Sequence, residues 1–499
     1  MAARAFTRST GGVAVAVLAA LFAGCSLEPA YVRPEAPVTA AYPTGPAYAA
    51  SSSTASATLP GGEIGWRDFL TDARLQQLVD IALRNNRDLR TAVLNVEQVQ
   101  AEFRIQSAAL FPQVSAYADR TRSRTPADLS ASGSATTLGS YSVGASVGWE
   151  IDFFGRLRSL KASALEQYLA SVQGRKAAEI LLVSQVADQY LTILASDELL
   201  EVTQRTLETA QGSYDIVKLQ FDNGAATELD LRLAETVVEQ AQANRAAQLR
   251  SRAQAENGLV LLLGQPLPAV TAAPIRLDEQ AIVSDIPAGL PSELLTRRPD
   301  ILQAEALLRS ANADIGAARA AFFPSITLTG SAGAASATLS GLFKAGSAAW
   351  SLAPSLIAPI FDSGANRANL DVATVRKDIG IAQYEKAIQT AFREVADGLA
   401  ARGTFDDQIA ALERFTAAER RRLELAQLLY KNGQASYLDV LTAQTDLYNA
   451  EQVLVSARLQ RLTNLVDLYR ALGGGWLEHT GDAPRSGEAP ASSGAIAAK

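Results

Sequence analysis

Phe221-Asp222-Asn223-Gly224-Ala225-Ala226-Thr227-Glu228-Leu229-Asp230 and Tyr430-Lys431-Asn432-Gly433-Gln434-Ala435-Ser436-Tyr437-Leu438-Asp439 spell nearly the same turn, 209 residues apart. The same offset pairs Ala187-Asp188 with Ala396-Asp397, Ala234 with Ala443, Thr236 with Thr445, and Leu263-Gly264 with Leu472-Gly473. Upstream the offset becomes 212, pairing Asp88 with Asp300, Ala109 with Ala321, and Phe111-Pro112 with Phe323-Pro324. Self-similarity held in register over most of a chain is an internal duplication. The change of offset falls between Pro112 and Phe154, which predicts one short insertion in a surface loop, where length changes are tolerated.

The repeated turn has a local mechanism. Asn223-Gly224 and Asn432-Gly433 end a helix with residues that tolerate a left-handed backbone. Thr227 and Ser436 can then cap the next helix, with Asp230 and Asp439 three residues on, the spacing of a capping box. Both aspartates therefore read first as caps, and a pore-lining role for either is the alternative.

On both sides of each turn the sequence permits very long helices. No proline occurs between Pro126 and Pro266 or between Pro359 and Pro484, and an interior proline would cost a helix about 3 kcal/mol. Ile180, Val183, Ala187, Tyr190 and Leu194, like Ile381, Tyr384, Ile388, Ala391 and Val395, follow the spacing of a coiled-coil seam. Residues 155–222 predict a helix of roughly 100 Å, and the return helix 227–263 only about 55 Å. Residues 88–110 supply about 35 Å more if they stack end to end on the return helix. The second half repeats the scheme with 364–432, 436–472 and 300–322.

After Pro112 and Pro324 the period switches to two. Tyr141, Val143, Ala145, Val147 and Trp149 alternate with Ser142, Gly144, Ser146 and Gly148. Ile326 and Leu328 alternate with Ser325, Thr327 and Thr329, while Ala348, Trp350 and Leu352 alternate with small or polar neighbours. This predicts one hairpin in each half, at about 113–150 and 325–358. The pattern suits a tilted transmembrane strand or a soluble sandwich strand. Four strands from one chain cannot close a barrel, whereas three chains would supply twelve.

The ends read as targeting and tether. Arg4 and Arg8 precede an apolar run from Val13 to Phe22, too short to span a bilayer as a helix, and so 1–24 reads as a signal peptide. Ala23-Gly24-Cys25 follows, and Cys25 is the one cysteine of the chain. A lone cysteine is ordinarily a small buried hydrophobe, but this junction resembles a bacterial lipobox, which implies acylation of Cys25. Ser26 next to it, with no aspartate, implies outer-membrane sorting. Residues 25–62, rich in Pro, Ala, Ser and Thr, predict an extended linker, and 475–499 a disordered tail. Between them lie the repeats, 63–285 and 286–474. The net charge is −7, without a basic block, which argues against nucleic acid.

Together these residues resemble the outer-membrane factor family, the TolC-, OprM- and NodT-like channels of efflux systems. The carrying motifs are the lipobox at Cys25, Trp149-Glu150-Ile151-Asp152-Phe153-Phe154-Gly155-Arg156, Arg297-Arg298-Pro299-Asp300-Ile301, Ala321-Phe322-Phe323-Pro324, Pro359-Ile360-Phe361-Asp362-Ser363-Gly364, and Tyr430-x-x-Gly433-x-x-Ser436-Tyr437-Leu438-Asp439. The resemblance covers about 60–475 and implies a mainly helical protomer with transmembrane β-structure. It further implies a trimer whose twelve-stranded β-barrel continues into a twelve-helix periplasmic α-barrel. Implied partners are a periplasmic adaptor and an inner-membrane transporter of the resistance-nodulation-division (RND) type, with a lipid on Cys25 in place of any cofactor. In such channels the periplasmic tips close the duct, which carries over to Leu438 and Thr442 as the aperture; Thr442 departs from the acidic residue often found there. The rival reading of Leu438 is plain packing between helices.

Two other classes compete with an efflux duct. The single histidine, His479, lies in the expected tail, and no phosphate loop, metal-spaced cluster or nucleophile elbow exists to support an enzyme. A lipid-anchored coiled-coil adaptor would lack duplicated halves that each carry a hairpin. Within the channel class, a type I protein secretion duct is the alternative.

Overall fold

The computed structural model describes residues 26–48, 61–131, 133–268, 275–280, 282–283, 286 and 291–482. The expected signal peptide and Cys25 lie outside the described residues. The elements are α1 (Trp66–Phe69), α2 (Ala73–Asn85), α3 (Arg87–Ala108), β1 (Gln113–Thr125), β2 (Thr136–Ile151), α4 (Arg156–Asp222), α5 (Glu228–Leu263), α6 (Pro291–Arg297), α7 (Pro299–Ala320), β3 (Ser325–Ser336), β4 (Ala348–Ile357), α8 (Ala365–Lys431) and α9 (Tyr437–Ala471). They form two compact units. One comprises the described residues up to Glu35 with Asn95–Ser171 and Gln303–Tyr384; the other comprises Ala36–Leu94, Val172–Leu302 and the chain from Glu385.

The first unit holds one antiparallel sheet in the order β1-β2-β3-β4. The two hairpins join through β2 and β3, from Tyr141 opposite Ser336 to Ile151 opposite Ile326, so the duplication is sealed by backbone pairing between its halves. At the foot of the sheet, Trp149 Nε1 donates to the Leu110 carbonyl at 3.1 Å, and Phe154 stacks on Phe323 with centroids 4.7 Å apart. Asp152 Oδ2 accepts the Arg158 backbone N–H at the start of α4, and Asp362 Oδ2 accepts that of Asn366 at the start of α8. Each satisfies an amide the helix would leave open.

In the same unit residues 26–35 form a strap along α7, where the composition predicts a tether with little to pack. Arg319 donates to the Leu27 carbonyl, Asn312 to that of Pro29, and Arg33 and Tyr31 to the Glu305 carboxylate. The physical reason for the difference is three side chains, Tyr31, Arg33 and the buried Glu305, that composition averages away.

In the second unit the return helices abut the helices that follow each repeat's start. Asn86 Nδ2 donates to the Leu262 carbonyl near the end of α5 at 2.9 Å. Arg298 Nη1 donates to the Ala471 carbonyl at the end of α9, also at 2.9 Å. Asn86 and Arg298 are 212 residues apart and Leu262 and Ala471 are 209 apart, the same two offsets as in the sequence. Gly264 has φ 67°, and a Cβ there would sit 2.3 Å from the Asn85 carbonyl oxygen, so the junction requires glycine.

Residues 475–482 differ from the disordered tail the sequence predicts. Trp66 and Arg67 N–H groups donate to the Leu477 and Glu478 carbonyls, Thr480 N–H to Asp68, and Tyr469 packs on Phe69 at 4.0 Å. His479 is held within this segment, 3.8 Å from Asp68. The chain ends of this unit meet because the apolar Trp66, Phe69 and Leu477 need one another for burial. Among the described residues, no helix is long and apolar enough to cross a membrane.

Candidate channel surfaces and tip

Register divides the sheet into two chemical faces. One carries Val114, Ala116 and Ala118 of β1, Tyr141, Val143, Ala145, Val147, Trp149 and Ile151 of β2, Ile326 and Leu328 of β3, and Trp350, Leu352 and Leu356 of β4. The other carries Gln113, Ser115, Ser142, Ser146, Glu150, Thr327, Thr329, Ser331, Ser351 and Ser355. Ser331 and Ser351 hydroxyls meet across the ladder at 2.8 Å. β4 is exposed along its length and β1 nearly so, and each is an edge strand whose outer backbone groups have no partner in the sheet. A face this apolar, left uncovered and paired with a hydroxyl-rich one, is the pattern of a sheet between hydrocarbon and water.

In the second unit the two Asn-Gly turns are copies to the atom. Gly224 and Gly433 sit at φ 72° and 71°. Ala225 N–H donates to the Gln220 carbonyl and Gln434 N–H to that of Leu429, the closing bond of a Schellman motif. Asn223 and Asn432 amides each donate back to the carbonyl four residues earlier, at 2.7 and 2.9 Å. Thr227 with Asp230, and Ser436 with Asp439, form complete capping boxes. Both aspartates are therefore engaged as caps.

Next to the turns, Val217, Ala234, Leu423, Tyr437, Val440, Leu441 and Ala443 form a buried cluster that ties the two helical hairpins together. Tyr430 packs on Tyr437 at 5.3 Å and donates its hydroxyl to Gln220 of the other hairpin at 2.9 Å. Burial pushes the Tyr437 phenol up to about 12. Arg420 with Glu451 and Arg422 with Asp446, each at 2.7 Å, brace α8 against α9.

Leu438 and Thr442 stay outside this cluster, one turn apart on the exposed face of α9. Leu438 is 55% exposed, and Thr442 turns its hydroxyl back onto the Leu438 carbonyl at 2.9 Å. Leu229 occupies the matching place in the first repeat and is 68% exposed. The aperture expectation leaves Leu229 out, although the 209-residue offset leads from Leu438 straight to it.

A duplicated protomer with one two-faced sheet and two long helical hairpins defines the TolC-like class of outer-membrane channels. The chain belongs to the outer membrane efflux protein family, whose model matches residues 78–265 and 290–474; it is an exit duct of the outer membrane, of a channel family rather than an enzyme family. It is 47% identical over 472 residues to the antibiotic efflux pump outer membrane protein ArpC of Pseudomonas putida, covering 94% of this chain and 97% of that one. A toluene efflux pump outer membrane protein of the same species, TtgC, matches at the same identity and coverage. Among solved structures, the open state of the MtrE outer-membrane channel of Neisseria gonorrhoeae superposes with a TM-score of 0.81 at 41% identity, covering 91% of this chain and all of that one.

Proposed function

We propose that three copies assemble edge to edge, β4 of one against β1 of the next, into a twelve-stranded barrel that continues into a twelve-helix periplasmic tunnel. The two open edges carry this reading. In hydrocarbon each unpaired backbone group costs several kcal/mol, and closure in a ring removes both edges at once. The apolar face then meets lipid and the hydroxyl-rich face lines the bore.

The assembly passively conducts small molecules, drugs among them, received from a periplasmic adaptor and an inner-membrane transporter of the RND type. The antibiotic and toluene pumps named among its relatives support that substrate class. Cys25 carries a covalent lipid in the periplasmic leaflet. The course of the strap supports this, since Leu27 lies on Arg319, shortly before β3 begins. The Asn-Gly turns form the periplasmic tips, and Leu438 and Thr442 the aperture.

Cross-linking and native mass measurement are expected to show three copies, and planar bilayers single-channel conductance. A monodisperse monomer with full conductance would refute the architecture. Palmitate labelling is expected in the wild type and lost in Cys25→Ser, which still inserts because the barrel has its own apolar band.

A further inference from the structure

The charged side chains of the sheet are sorted by face. Its four strands contain three cations, Arg120, Arg122 and Arg124, and two carboxylates, Asp119 and Glu150. Arg120 lies opposite Tyr141, Arg122 opposite Gly139 and Arg124 opposite Thr137, so all three arginines share the face of the apolar band. Asp119 lies opposite Ser142 and Glu150 opposite Thr327, on the hydroxyl-rich face.

The arginines also occupy a distinct height. Pairing of β2 with β3 stops at Tyr141, and Thr136 to Ser140 pair with β1 alone. The first hairpin thus overreaches the second by five residue pairs, about 17 Å along the strand. Arg120 stands at the rim, its guanidinium 5.4 Å from the centroid of the Tyr141 ring, and Arg122 and Arg124 follow on the projection. The three are exposed, and among the described residues none forms an ion pair with a carboxylate. Alternate residues on a strand are about 7 Å apart, so the ladder offers three planar forks along one line, each able to grip a phosphate through two parallel N–H···O bonds.

We propose that Arg120, Arg122 and Arg124 bind a membrane lipid whose head group carries two or more phosphates, in the leaflet facing the cell exterior. This rests on the barrel reading above, which sets the apolar face in hydrocarbon and the strand ends away from the helices outside. The ladder begins where the apolar band ends, at Tyr141, so a ligand that fills it is anchored in the neighbouring lipid. A soluble polyanion would have no use for that junction. The absence of carboxylates from the same face removes the repulsion that would weaken phosphate binding.

The test uses the full-length trimer in phosphatidylcholine nanodiscs doped with either bis-phosphorylated lipid A or its dephosphorylated form, with retained lipid counted by native mass measurement. Wild type is expected to prefer the phosphorylated form about tenfold, with the preference falling as salt rises. R120Q/R122Q/R124Q is expected to lose it at unchanged conductance. If the triple variant does not assemble, R122Q alone, opposite Gly139, is expected to lose about threefold. Equal retention of the two lipids by wild type, or an unchanged preference in the variants, overturns the site while leaving the barrel intact. Tripolyphosphate bound by the detergent-solubilised trimer as tightly as lipid A in nanodiscs would show a soluble-polyanion site instead and also overturn it. A wild type that neither inserts nor conducts overturns the barrel reading and the lipid site with it.

Discussion

Asp188 shows how a duplication diverges at a single residue. It and Asp397 occupy matching positions, yet Asp188 is largely buried on α4 while Asp397 is exposed on α8. Among the described residues, Asp188 Oδ1 has no hydrogen-bond partner. Burial first, then the nearby Asp467, raise its carboxyl to about 7 against the lowering pull of Arg470. Below about pH 4 the group is protonated in both folded and unfolded chains and costs nothing. Between about 4 and 7 the unfolded chain gives up its proton while the folded one keeps it, so stability falls as pH rises, and above 7 the full cost applies. Asp188→Asn is therefore expected to stabilise the protein by roughly 2–4 kcal/mol at about pH 8 and by little at about pH 4, read as denaturation midpoints. An equal gain at both pH values would show that charge is not the cause.

The strap is the element that composition hides. Glu305 is 4% exposed at its side chain and takes Arg33 and Arg309 together. Burial works to raise this carboxyl, and the hydrogen bonds and charges of the two guanidiniums outweigh it, leaving it below its ordinary value. Glu305→Gln keeps the shape and removes the anion. Since Arg33 is partly exposed, a discounted loss of about 1.4 kcal/mol is expected, which predicts about tenfold faster chymotryptic cleavage after Tyr31. Unchanged cleavage would mean that the contacts at Asn312 and Arg319 suffice. The same element shows what the sequence could reveal. Caps and turns are local, so Asn223-Gly224 with Thr227 and Asp230 announces a helix end without any tertiary knowledge, and period-two alternation announces β2. The strap has neither period nor cap, and Tyr31 lies 274 residues from its partner Glu305. The short α2 and α6 are illegible for a similar reason, since each ends beside a glycine just past a far longer helix, Asn85 at Gly264 and Arg297 at Gly473. The packed stretch 475–482 is legible only once Trp66 and Phe69 are seen to lack cover.

In the trimer proposed above, three copies of Leu438 and Thr442 crowd the axis at the tip. Within one chain Leu438 stays outside the buried cluster, and Thr442 commits its hydroxyl to its own helix, so the face offered to the axis is apolar and uncharged. Neutral faces of this kind can close together without a carboxylate ring or a bound cation. Replacing both residues by Asp would set six carboxylates around a narrow aperture, where each pair about 4 Å apart repels by about 1 kcal/mol even in water. The folded protomer is expected to survive the change, because both sites are exposed and the buried cluster around Tyr437 is untouched. Resting conductance per assembled trimer, and leak of a bulky antibiotic without any pump, are expected to rise. If Leu438 instead packs against a neighbouring protomer's helix, the same variant loses trimer yield with no gain per surviving channel. Arg422 and Asp446, which brace α8 to α9 from within one chain, should leave conductance per trimer near wild type when changed together to Gln and Asn, which separates a gate at the axis from general loosening of the tip.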